Sequence, residues 1–78
     1  MQDVNAEIVS LLKEKLGVPE SVLTSDASLE KDLGIDSLDY AEIIMELEQQ
    51  FNIRIPDKDI RKIETIGQAA EYVKMKLD

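Results

Sequence analysis

Near the middle of the chain a hydroxyl sits between carboxylates, in the run Gly34-Ile35-Asp36-Ser37-Leu38-Asp39. Gly34 permits a turn, and Asp36 has the chemistry to cap a helix that starts at Ser37. Ser37 then occupies the first helical position with its hydroxyl free. A phosphate attached there would lie against the exposed amides of a helix N-terminus, a favourable place for an anion. The plain alternative is a serine that merely starts a helix, which is commonplace. The chain has no histidine and no cysteine. Ser-His-Asp and Cys-His catalysis are therefore excluded, as are disulfides and cysteine-based metal sites. Carboxylates such as Asp36 and Asp39 share one helix with no evident pocket, so no enzyme is expected. An EF-hand needs an Asp-x-Asp-x-Asp-Gly loop ending in glutamate, and none is present, so no metal site is expected.

Positioning this hydroxyl takes a fold, and the apolar spacing defines one. Val4, Ile8, Leu11, Leu12 and Leu16 fall at i, i+4, i+7, i+8 and i+12, which predicts a helix over residues 3–16. Asp3 or Asn5 can cap its start, and Gly17 and Pro19 end it. Periodicity then lapses over residues 17–36, although Val18, Val22, Leu23, Leu29, Leu33 and Ile35 recur there. This is expected to be a long loop packed over the core, with a short turn at 28–32; loops of such length are often functional. Tyr40, Ile43, Ile44, Leu47 and Phe51 form the core stripe of a second helix from Ser37 to Phe51. Pro56 and a capping Asp57 predict a short third helix to about Lys62, with Ile60 and Ile63 turned inward. Thr65 and Gln68 read as a capping box for a fourth, whose core face is Ile66, Ala69, Ala70, Val73 and Leu77. The expected architecture is all-α: a four-helix bundle of three longer helices and one short, with a long loop between helices one and two. With 78 residues, the chain (1–78) is expected to be a single domain. A chain this short leaves about 40% of its unfolded surface exposed, which favours a module that presents a surface over one with a deep cleft.

Charge narrows the partners. The chain has 17 acidic and 9 basic residues, a formal net charge of -8. Such a field repels nucleic-acid phosphates and anionic lipid, and suits basic protein surfaces; acidity that serves only solubility is the alternative. From Asp32 to Ile53 there is no lysine or arginine. Asp39, Glu42 and Glu46 fall on one helical stripe, where like charges repel by a few tenths of a kcal/mol (~0.2–0.5) per pair. Beside them Leu38, Ala41 and Met45 form a second apolar stripe. Either this is a docking face, in which charge steers and apolar contact holds, or the stripe is solvated and the loop covers Leu38 and Met45. The first five residues have neither a basic region nor an apolar run, so no signal peptide is expected. No stretch reaches membrane-spanning length, and the absence of cysteine suits a reducing, cytoplasmic setting.

Leu33-Gly34-Ile35-Asp36-Ser37-Leu38-Asp39 resembles the Asp-Ser-Leu signature of acyl carrier proteins. The resemblance extends to Leu16-Gly17-Val18, to Glu42, Met45, Leu47, Glu48 and Phe51, to Ile55-Pro56-Asp57 and to Thr65-Ile66. It covers nearly the whole chain in order. It implies that a phosphopantetheinyl transferase attaches 4'-phosphopantetheine from coenzyme A to Ser37 as a phosphodiester, with Asp36 and Leu38 beside it. The arm's thiol then carries acyl groups as thioesters. Glu14, Asp39, Ala41, Glu42, Met45 and Glu48 match positions that meet basic patches on synthases, reductases, dehydratases and acyltransferases. Tyr40, Ile44, Leu47, Phe51, Ile55, Ile60 and Ile63 are the implied acyl pocket. A monomer is expected.

The chain departs from the family in places. Tyr40 stands where a small polar residue is frequent, and Ile60 where alanine is, which implies a narrower or differently gated pocket. Gln49, Gln50, Asn52, Arg54 and Lys58 replace frequently acidic positions. Fatty-acid synthesis is the implied pathway; a carrier for a polyketide, a special lipid or an aminoacyl group is the alternative. A binding module that never carries an arm would be expected to lack the serine.

Overall fold

The apolar periodicities close on one another as four α-helices. The computed structural model describes residues 3–77; the expectation about the first residues rests partly on Met1 and Gln2, which lie outside the described residues. Helix α1 spans Val4–Leu16, α2 Ser37–Phe51, α3 Asp57–Ile60 and α4 Ile66–Leu77. No strand occurs among the described residues. The three longer helices each bury one face: Val4, Ile8 and Leu12; Ile43, Ile44, Leu47 and Phe51; Ile66, Ala69, Ala70 and Val73. These join Ile55 and Ile63 in one continuous cluster. Helices α1 and α4 pack directly on each other.

Local chemistry sets the helix ends. The Asp3 carboxylate accepts the Ala6 amide at 3.1 Å, and Gly17 closes α1 in the left-handed region at φ 66° with its amide on the Lys13 carbonyl. Thr65 Oγ1 accepts the Gln68 amide at 3.1 Å, and the Gln68 side chain accepts the Glu64 and Thr65 amides in return, a reciprocal capping box. Asn52 ends α2 at φ 53°; asparagine is among the few residues other than glycine that tolerate this region.

Two expectations need correction. Pro56, not Asp57, holds the cap position of α3, and no side chain caps that end. Helix α3 stops at Ile60, because the next bonds (Lys62 N–H to the Asp59 carbonyl and Ile63 N–H to the Ile60 carbonyl) are the tighter i+3 type. Leu77, the last residue of α4, is 41% exposed and not part of the core.

Residues 17–36 are a well-bonded loop. A 3-10 turn occupies Glu20–Val22, and Leu23, Ala27, Leu29 and Ile35 are buried. In the expected turn, the Ser28 amide donates to the Asp32 carboxylate at 2.7 Å and the Lys31 amide to the Ser28 hydroxyl at 3.1 Å. A feature the periodicity does not reveal fixes the loop to α4. The Leu29 amide donates to the Glu64 carbonyl, the Ile66 amide to Ala27 and the Gly67 amide to Ser25, with a single antiparallel bridge between Ser28 and Thr65.

Gly67 makes this approach possible, since a Cβ there would stand 3.0 Å from the Ser25 carbonyl oxygen. Alanine would ordinarily help an exposed helix position by about 1 kcal/mol. At this contact overpacking outweighs that gain, so Gly67→Ala is expected to destabilise by about 1 kcal/mol in urea unfolding. A stabilised variant would show that the loop yields there freely.

Candidate functional site

Asp36 builds the site first. Its Oδ1 accepts the Asp39 amide at 2.8 Å, so α2 begins at Ser37 with Asp36 as its cap. Ser37 and Leu38 are exposed. Among the described residues neither the Ser37 hydroxyl nor the Ser37 and Leu38 amides have a protein hydrogen-bond partner. Ser37 also lines a groove of about 640 Å³. Leu29, Ile35, Tyr40, Ile60 and Ile63 give the groove its apolar surface, and Lys31, Arg61, Glu30 and Glu64 line it as well. A group esterified to Ser37 would have open space, two free amides and an apolar wall beside it. The residues present therefore fit a phosphate-linked arm.

Tyr40 shapes the far side of this groove. Its hydroxyl lies 2.9 Å from the Ile60 carbonyl oxygen and 2.6 Å from that of Ile63. One phenol proton serves both acceptors, and the contact ties the first turns of α2 to the segment that joins α3 to α4. Burial pushes the Tyr40 phenol above its ordinary value, with the Glu64 charge adding to the effect.

The remaining implied pocket residues do not reach this groove. Ile44, Leu47, Phe51 and Ile55 are each no more than 4% exposed and belong to the closed core. Leu29, Ile35, Lys31 and Arg61 line the groove in their place. Leu29 and Ile35 come from a loop without periodicity, so no spacing rule pointed to them.

The possible docking face is open. Leu38 is 69% and Met45 57% exposed, so the loop does not cover them. Ala41, Glu42 and Glu14 are exposed, and Asp39 is half-buried. The acidic stripe is not without a cation, however. Lys15 of α1 reaches across, with Nζ 3.2 Å from Glu42 and 3.5 Å from Glu46. The hydrogen bond and charge of Glu42, with help from Glu46, hold the Lys15 ammonium above its ordinary value. Glu48 is set apart from this stripe. It is half-buried, and its Oε2 accepts the Ile55 amide at 2.8 Å, so it fastens the chain after α2. Sequence spacing places these acids on α2 but says nothing of which α1 residue crosses them.

A family model described as "Phosphopantetheine attachment site" matches residues 6–73. The "Acyl carrier protein" of Thermotoga maritima is 40% identical over 76 residues, which cover 97% of this chain and 94% of that protein. The chain belongs to the acyl carrier protein family. It is a carrier and not an enzyme, and its cofactor is 4'-phosphopantetheine. Among the described residues no group of three or more His, Cys, Asp or Glu could hold a metal ion, and no helix is long and apolar enough to cross a membrane.

The tyrosines make the packing measurable. The only other tyrosine, Tyr72, donates to Asp59 Oδ2 at 2.6 Å. Burial, and then the bond and charge of Asp59, push its pKa from 10.0 to about 12. Asp59 is lowered in turn, first by that hydrogen bond. Because both folded phenols titrate above the ordinary 10.0, their contribution to stability is complete below that pH. It is lost as pH rises toward about 12. Tyrosinate absorbance of the folded protein is therefore expected to lag behind that of the urea-unfolded chain across this window. Coincident titrations would contradict the two hydroxyl contacts.

Proposed function

We propose that the phosphopantetheine arm is attached at Ser37 and that the chain carries acyl groups on it to the enzymes of fatty-acid synthesis, in the cytoplasm. The observation that supports the attachment is the exposed, unpartnered Ser37 hydroxyl at the start of α2 beside an apolar groove. In the transfer, Ser37 Oγ forms the new bond to phosphorus and gives up its proton to the transferase, as the nucleotide half of coenzyme A leaves. The bound arm supplies a thiol, which the cysteine-free chain lacks, and that thiol holds acyl groups as thioesters. Asp36 keeps the helix start in place, and the free Ser37 and Leu38 amides face the region of the phosphate. Leu38, Ala41 and Met45 offer apolar contact to partners. Asp39, Glu42 and Glu14 offer charge to basic patches on synthases, reductases, dehydratases and acyltransferases, and the protein acts as a monomer.

A dedicated pathway for a polyketide, a special lipid or an aminoacyl group is the second reading. One observation favours it: Tyr40 is bonded across the groove wall, which restricts what the groove accommodates.

Intact mass after incubation with coenzyme A and a broad-specificity transferase tests the attachment. A gain of one phosphopantetheine in the native protein, abolished in Ser37→Ala, is expected. No gain with several transferases would leave a binding module without an arm.

The docking face has its own test, because Lys15 competes with any basic partner for Glu42 and Glu46. Glu42→Gln is expected to weaken binding of the transferase. Lys15→Met is expected to tighten it by about two- to fivefold, the range of an exposed ion pair, with the gain fading in salt. Weaker binding with Glu42→Gln but no change with Lys15→Met would remove Lys15 as a competitor. No change in either would move docking to another face.

A further inference from the structure

We propose that Tyr40 sets the reach of the cargo: its hydroxyl staples the groove wall shut, so this carrier shelters short acyl chains and leaves the distal part of long ones outside. The inference rests on the attachment at Ser37 proposed above and goes beyond it to the class of acyl group.

The geometry comes from three atoms. Tyr40 Oη reaches the carbonyl oxygens of Ile60 and Ile63, at the end of α3 and the start of the link to α4. Ile60 and Ile63 are also walls of the groove, with Leu29 and Ile35 on the loop side. These four side chains can cover a short alkyl chain tethered at Ser37. Going further means entering the core between α2 and the 60–63 segment, where Ile44 and Leu47 are packed to 3% and 2% exposure. That route separates Tyr40 from both carbonyls. A longer chain gains with every methylene it buries, but it must first break this contact, which leaves the Ile63 carbonyl without its Tyr40 donor and the Ile60 carbonyl with the Ile63 amide alone. Ile60 adds bulk at the same wall. Short chains meet no such obstacle.

Acyl groups of increasing length, from butyryl to tetradecanoyl, loaded from their coenzyme A thioesters by a broad-specificity transferase, provide the test. The readout is the rate at which hydroxylamine cleaves each thioester, followed by intact mass. The native protein is expected to slow cleavage of butyryl relative to a free pantetheine thioester and to leave tetradecanoyl nearly unprotected. Tyr40→Phe keeps the ring and removes the staple. It is expected to slow tetradecanoyl cleavage by about fivefold, the scale of one lost hydrogen bond. Tyr72→Phe removes a comparable hydroxyl contact, to Asp59 and away from the groove, and is expected to leave the native length dependence intact. Equal protection of butyryl and tetradecanoyl in the native protein would overturn the proposal. So would the same slowing in Tyr72→Phe, because general loosening would then suffice. Failure to load shows separately, as no gain in mass, and overturns the Ser37 attachment itself.

Discussion

Three backbone hydrogen bonds hold the loop of residues 17–36 against the start of α4: Leu29 to Glu64, Ile66 to Ala27 and Gly67 to Ser25. The functional end of the molecule depends on them. They fix Ala27 and Leu29 in the core, and the turn that follows brings Ile35 back, its amide N–H donating to the Leu29 carbonyl. Ile35 is buried and the next residue, Asp36, is the cap of α2. The position of Ser37 is therefore set from both sides, by an anchored loop before it and a capped helix after it. Ordering this loop costs roughly 1–2 kcal/mol per residue in backbone entropy, which these bonds and the burial of Leu23, Ala27, Leu29 and Ile35 help to offset.

The same bonds explain why the groove exists. Two chain segments, 28–31 and 60–64, are tied at 29 and 64 and both line it, together with the first turn of α2. Tyr40 and Tyr72 then make the α3 region a shared anchor point. One hydroxyl reaches the 60–63 carbonyls from α2, and the other reaches Asp59 from α4. A helix as short as α3 has little stability of its own. Its place comes from these contacts and from Ile63 in the core. Lys62 near Asp59 at 3.8 Å and Lys76 over the Tyr72 ring at 5.6 Å add weak support.

The helices were legible in the chain because their apolar spacing and end chemistry agreed. Asp3, Gly17, Asp36, Thr65 and Gln68 do locally what their types predict. Ser37 was legible as a position, at a helix start with a free hydroxyl, while the role proposed for it rests on resemblance across the chain. What stayed hidden depends on how separate elements meet. Lys15 is an ordinary last-turn lysine until α1 crosses α2 and sets it beside Glu42 and Glu46. Glu48 reads as one more surface acid, yet it accepts the Ile55 amide. Tyr40 reads as core, and its ring does pack there in part, but its hydroxyl decides where it stands. Helical periodicity reports which face is apolar; it carries no information on which partner a polar atom finds across the fold.

The division between core and groove follows from the size of the protein. A chain of 78 residues has few apolar side chains, and using them for a permanent interior cavity would remove packing it needs. Cavities weaken a core in proportion to their volume, about 24 cal/mol per Å³. The protein instead keeps Ile44, Leu47, Phe51 and Ile55 closely covered and places its apolar groove at the edge, between an anchored loop and a short helix. Such an edge can hold a small tethered group without opening the bundle. Tyr40 marks the boundary: its ring faces the groove side while its hydroxyl satisfies carbonyls at the end of α3. The hydrogen bonds that help to steady the short helix therefore also hold one wall of the groove, so the two features share a side chain.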